Sequence, residues 1–295
     1  MKISIVSIVC LVFLLGCSNS NKDKTIVDES TFNISDNDDN ENQSTNDEVV
    51  FYNVFSPVDL ENMINEKNSY FNSSLLNSTD NLTSYTESSK IALNIGVYGA
   101  DLSYLWVFAQ TQQALSYLAT IQHLSNKLGI PRDYVDFTSE SIENNMQNMD
   151  SIASVARNAY NAAANYLNGS ERKNASILIL LGGWIETLYI STQMYTKPDP
   201  ILASKIATQK YSLNSIITQM QNHQNDLVMS EYLILLRKLN ETFAIFESQL
   251  KPGDIEIDTA NKRITIKENS SLDIKPAQLN EINELVGKIR KHIIN

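Results

Sequence analysis

The chain has 295 residues, 23 basic against 34 acidic side chains for a net charge of −11, and 42% hydrophobic residues. No basic cluster supplies the footprint a nucleic-acid partner needs. Two cysteines cannot build a disulfide framework, so stability has to come from burying apolar surface.

Met1-Lys2 is a short positive start and Ile3 to Leu15 a short apolar run, below the roughly 20 residues of a spanning helix. This reads as an export signal, residues 1–16, outside the fold. Leu14-Leu15-Gly16-Cys17 resembles the lipobox of bacterial lipoproteins. The resemblance implies cleavage before Cys17, acyl chains (palmitate among them) on that cysteine, and a membrane partner reached through the lipid. Several chains would anchor firmly where one binds marginally. Cys10 would leave with the signal, and the mature chain would carry 22 basic and 34 acidic side chains, net −12.

Residues 17–50 read as the lipidated cysteine and an acidic tether, with nine acids against Lys22 and Lys24 from Ser18 to Val50; such a segment buries too little to offset its ordering entropy. Ser18-Asn19-Ser20-Asn21-Lys22-Asp23 resembles the signal that sends some Bacteroidota lipoproteins to the cell surface. The expected location is the outer membrane, facing periplasm or cell surface.

Residues 51–295 read as one helical domain. Ser56-Pro57 is a helix start with proline in the first turn, and Ser73 to Asn77 a short helix. A helix is expected from Ser88-Ser89 to Leu128, with a kink or break near Gly96 and Gly99, since each glycine costs about 0.8–1 kcal/mol against alanine. Ala92, Gly96 and Ala100 share a face that lets another backbone come close. Gly129-Ile130-Pro131 is a stop. Ser139–Asn148, the alanine-rich Ser151–Leu167 and Ala175–Tyr195 follow as helices. Asp199-Pro200 caps a helix to about Gln221, and Asp226–Leu250 is amphipathic. Asp254–Asp258 and Arg263–Lys267 alternate with period two, a hairpin at about 254–267 with an isoleucine face and a charged face. Pro276–Ile294 closes the chain as a helix. The fold class is mostly α: a bundle of about seven to eight helices with a small C-terminal β-hairpin and a final helix.

Two stretches stand apart. Ile91–Asn126 holds one formally charged side chain, Asp101, and Asn174–Thr196 holds one, Glu186. Each acid follows a glycine pair and precedes a tyrosine by three residues, an echo that suggests duplicated helical hairpins. A carboxylate in apolar surroundings pays heavily for ionisation unless it is paired. Two such acids in one core could share a proton, bind a cation or act as acid and base. Against that stand plainer roles: Asp101 as the cap of a new helix, Glu186 as the partner of a base on another helix or as a residue at the rim.

Tyr98, Tyr104, Trp106, Phe108, Trp184, Tyr189 and Tyr195 cluster on the same stretches. Facing a cleft they would line a pocket for a sugar or a peptide; facing inward they are core. The candidate ligand-binding set is Asp101, Tyr98, Tyr104, Trp184, Glu186 and Tyr189. His123, His223 and His292 lie in no metal-binding spacing, and no serine sits in a GxSxG elbow, so neither catalytic residue, metal nor cofactor is assigned. Asp150-Ser151-Ile152 and Asp258-Thr259-Ala260 resemble the O-glycosylation acceptor of Bacteroidota.

The whole resembles helical lipoproteins of Bacteroidota, and the resemblance carries no activity with it. The expectation is a lipid-anchored envelope protein whose helical domain binds an envelope protein or small ligand without catalysis; the alternative is an enzyme using Asp101 and Glu186 as acid and base.

Overall fold

A computed structural model describes residues 70–134, 162–163, 165–170, 172–194, 199–247, 255–258, 263–266 and 275–295. The signal, the lipobox, the tether, the helix starts at Ser56-Pro57 and Ser139, and most of Ser151–Leu167 fall outside these residues.

The chain is mostly helical. Residues 70–87 form a strap with two short 3-10 turns, Ser73–Leu75 and Thr79–Ser84. Then come α1 (Ser88–Val107), α2 (Thr111–Lys127), α3 (Lys173–Met194), α4 (Pro200–Gln221), α5 (Leu227–Glu247) and α6 (Pro276–Ile294). Strands β1 (Ile255–Asp258) and β2 (Arg263–Ile266) pair antiparallel, Ile255 opposite Ile266 and Asp258 opposite Arg263. Their side chains and the residues joining them lie outside the described set. Helix α1 packs on α2, α3 and α6; α3 also touches α4 and α6, and α5 joins α4 to α6.

Contrary to the expected kink or break near Gly96 and Gly99, α1 runs unbroken through both glycines and ends at Val107. The reversal comes at Phe108–Gln110, where Ala109 takes a left-handed φ of 52°. Two bonds close this end: Ala109 N–H donates to the Trp106 carbonyl and Gln110 N–H to that of Leu105. The same pair of bonds, from Gly129 to Asn126 and from Ile130 to Ser125, ends α2, with Gly129 at φ 78°. This is the Schellman arrangement that satisfies the last carbonyls of a helix. Glycine makes the second stop readable in sequence; alanine hides the first.

The α1 glycine persists because α3 presses on it. A Cβ on Gly96 would sit 1.9 Å from the Ile179 carbonyl oxygen, and one on Gly182 1.9 Å from that of Leu93. Leu93 faces Gly182, Gly96 faces Gly183, and Asp101 and Glu186 follow in the same sense. Two backbones in near contact gain dispersion along the crossing, which offsets the helix cost of glycine. By length and apolarity α3 passes for a membrane span, yet 78% of its apolar window is buried inside the molecule. It is the central helix of the core.

Asp199 accepts a 2.8 Å bond from the Leu202 N–H, with Pro200 in the first turn of α4. In α6, Leu279, Ile282, Val286, Ile289 and Ile293 are buried at helical spacing.

The crossing predicts opposite outcomes for two glycines three residues apart. Gly96→Ala should destabilise by about 3 kcal/mol, since the clash is with backbone. Gly99→Ala, with nothing within 4 Å of its Cβ position, should gain about 0.5–1 kcal/mol. Urea unfolding of the two variants checks both signs.

Candidate functional site

Beyond the glycine crossing α1 and α3 each turn one acid toward the other. Asp101, in the middle of α1, and Glu186, in α3, are both fully buried. Asp101 is therefore not the cap of a new helix: its backbone is already helical on both sides. Its Oδ2 does accept a backbone N–H, from Asn77 in the strap at 3.0 Å.

Glu186 is paired from α6. Arg290 Nε donates to Oε2 at 2.6 Å and Nη2 to Oε1 at 2.7 Å. Arg290 Nη2 also donates to the Leu75 carbonyl at 2.8 Å, and the guanidinium lies 4.3 Å from the centre of the Tyr189 ring. A planar donor fork matches a carboxylate in both spacing and charge.

Three ionisable groups thus share one apolar volume, and their charges decide the protonation. Asp101 Oδ1 is buried with no donor reaching it, while the Asp101 and Glu186 carboxyls lie within hydrogen-bond reach of each other. Two ionised carboxylates cannot make that bond; one of them has to carry hydrogen. Burial, and next the charge and hydrogen bond of Glu186, push the Asp101 carboxyl well above the usual range. Burial lifts Glu186 as well, but Arg290 and the bond from Asp101 oppose it. The proton therefore stays on Asp101, which donates to an ionised Glu186. Glu186 and Arg290 then cancel, and the cluster is neutral.

A second polar layer joins this cluster to the strap. Asn77, 1% exposed, is its hub: its side-chain amide donates to Tyr85 Oη at 3.0 Å and to Asn94 Oδ1 at 3.2 Å. Its Oδ1 accepts from Asn81 at 2.8 Å and its carbonyl from the Tyr117 hydroxyl at 2.8 Å. Tyr98 Oη donates to the Ser78 carbonyl at 2.8 Å. The end of α6 is tied in too: Asn94 Nδ2 donates to the Ile293 carbonyl, Tyr85 Oη to that of Ile294 and Lys90 Nζ to that of His292. Helix carbonyls that would otherwise be left over are satisfied by side chains of α1 and the strap.

Of the six candidate ligand-binding residues, the structure gathers Asp101, Glu186, Tyr189 and Tyr98 around this cluster and places two elsewhere. Trp184 is buried with its Nε1 donating to Gln209 Oε1 on α4 at 3.0 Å. Tyr104 packs against Phe71 and Phe108 and accepts the Asn72 N–H at 3.1 Å. These two, with Tyr98, Asp101 and Glu186, are at most 1% exposed, so they are core groups that line no opening. Arg290 and Asn77 were not anticipated as members. Among the described residues no group of three or more His, Cys, Asp or Glu is placed to hold a metal. His123 is exposed and His223 half-buried, and His292 pairs with Glu231 at 3.0 Å on the surface. No family model, curated protein or solved structure matches the chain.

Chemically the arrangement is a neutral, internally satisfied tie among α1, α3, α6 and the strap. Asparagine at 101 keeps both bonds, accepting from Asn77 and donating to Glu186, without an acid to ionise. In the wild type the raised Asp101 contributes stability fully below about pH 4, where the unfolded chain is protonated too, and loses it as pH rises toward the folded value. The stability of Asp101→Asn relative to wild type should therefore grow by about 1.4 kcal/mol per pH unit above that point, until the buried acid titrates. Glu186→Gln, which strands the Arg290 charge, should cost about 3–5 kcal/mol at neutral pH. Chemical denaturation of both variants across pH 4–9 measures the two effects.

Proposed function

We propose that the chain is an envelope lipoprotein held at the outer membrane through Cys17, whose helical body binds a partner or small ligand without catalysis. The observation that carries the anchor is Leu14-Leu15-Gly16-Cys17 after an apolar run and before an acidic tether. The tether sets the body away from the lipid surface, which suits a protein that engages something beyond its own membrane contact. The partner is an envelope protein or a small molecule rather than nucleic acid, given a net charge of −11. The β-hairpin at about 254–267, with an isoleucine face and a charged face, is in this reading a small appendage to the body.

The non-catalytic half of the reading is supported by the state of the two acids. A general acid or base has to come within hydrogen-bond reach of substrate, and Asp101 and Glu186 are wholly buried with Arg290 and Asn77 as partners. The competing reading, an enzyme using the pair as acid and base, draws on their direct contact and the raised Asp101; the lack of exposure at either residue places it second.

Metabolic labelling with a palmitate analogue tests the anchor. Wild-type chain should take up label and partition with membranes, and Cys17→Ser should do neither. Label retained in Cys17→Ser, or none in the wild type, would remove the lipoprotein reading.

A further inference from the structure

We propose that residues 70–87 form a proton-held strap, closed over the Asp101–Glu186–Arg290 cluster while Asp101 keeps its hydrogen and lifted from the body when that hydrogen leaves. The inference is independent of the lipid anchor.

The geometry supplies the trigger. One buried base faces two buried acids, and one oxygen, Asp101 Oδ1, has no donor. Loss of the proton to solvent leaves Asp101 and Glu186 both negative beside Arg290, a net charge of −1 among buried side chains. Among the described residues, Arg290 is the cation that acts on the Asp101 carboxyl. The strap contributes Tyr85, α1 Tyr98, α2 Tyr117, α3 Tyr189 and α6 Arg290; burial holds the Tyr85, Tyr98 and Tyr117 hydroxyls neutral by raising them. An unbalanced buried charge is relieved by letting water in.

The fold supplies the hinge side. α1, α3 and α6 are locked to one another by apolar burial and by the glycine crossing. The strap is different: neither of its 3-10 turns contains a buried residue, and its fully buried side chains are Asn77 and Tyr85. Its Phe71, Leu75, Leu76 and Leu82 are only partly buried where they pack on the core, and polar bonds tie it to Asp101, Arg290, Tyr98, Tyr104 and Tyr117. Segments with few buried apolar contacts open at the lowest free-energy cost. The strap also lies directly over the acids, through the Asn77 N–H and the Leu75 carbonyl, so lifting it hydrates them with no change in the helix packing. Because the strap carries the chain from the N-terminal segment into the body, its release lengthens the link between the two.

Amide hydrogen exchange on the full chain, read at the Asn72 and Asn77 amides and at buried amides of α1 and α3, tests this. With intrinsic exchange corrected for pH, opening coupled to one proton predicts that strap protection falls tenfold per pH unit from the ordinary carboxylate pH upward and levels off once Asp101 titrates. Helix amides should stay far better protected than the strap at every pH, since the strap opens at a lower free-energy cost. In Asp101→Asn the strap should show no such slope. The carboxyl carbon resonance of Asp101 in the wild type gives a reading free of any variant: its titration has to coincide with the pH at which the fall in strap protection levels off. A flat strap profile, strap and helices opening together, or an Asp101 titration at the ordinary carboxylate pH would each overturn the proposal.

Discussion

A charge taken out of water has to be matched where it stands, and the Arg290–Glu186 pair sets that requirement for the whole body. The pair alone is balanced; adding Asp101 is tolerable because the third group carries hydrogen in place of charge. Neutrality then fixes positions. Arg290 has to reach Glu186 with two donors, which sets how far α6 advances along α3. Asp101 has to meet Glu186, which sets the register of α1 on α3. The strap has to bring the Asn77 amide and the Leu75 carbonyl to the remaining acceptor and donor. Buried ion pairs often add little net stability over an apolar replacement. Here the gain is specificity: a one-turn slip of any of these helices would leave a carboxylate or a guanidinium alone in the core.

The glycine crossing makes that contact possible. Acid side chains are short, and two helices kept apart by ordinary side chains would hold Asp101 and Glu186 beyond reach of each other. At Gly96 and Gly182 the backbones come so near that even a methyl group has no room, and the acids follow directly after. Weak helix formers at the centre of the two most apolar helices are thus a geometric requirement of the polar cluster.

Much of this was legible in the chain. The isolation of Asp101 and Glu186 within long uncharged stretches marked them, and the glycines beside them marked a close approach. Gly129 and Asp199-Pro200 fixed two helix termini because each carries its own turn chemistry. Other features had no local signal. Ala109 is left-handed with a residue that rarely adopts that conformation, so the sequence placed the break at Gly96 and Gly99 and ran the helix on to Leu128. Arg290 sits in a helix with several other charged residues, and nothing within α6 distinguishes the base that turns inward. Asn77 lies in a stretch rich in asparagine and serine, where its role as hub follows only from what surrounds it. The aromatic residues read equally well as pocket or core until their burial was known.

The order of these groups along the chain has a consequence of its own. Asp101 and Glu186 are made early, and Arg290 follows Glu186 by 104 residues. At synthesis rates of about 5–20 residues per second, some 5–20 s separate the two. During that interval α1 and α3 have no base to complete their contact, and the carbonyls that α6 contributes to Lys90, Asn94 and Tyr85 do not yet exist. The apolar helices can approach, but the assembly stays open at its centre until its last turn arrives. A body that locks from its C-terminal end remains unlocked while it is being made.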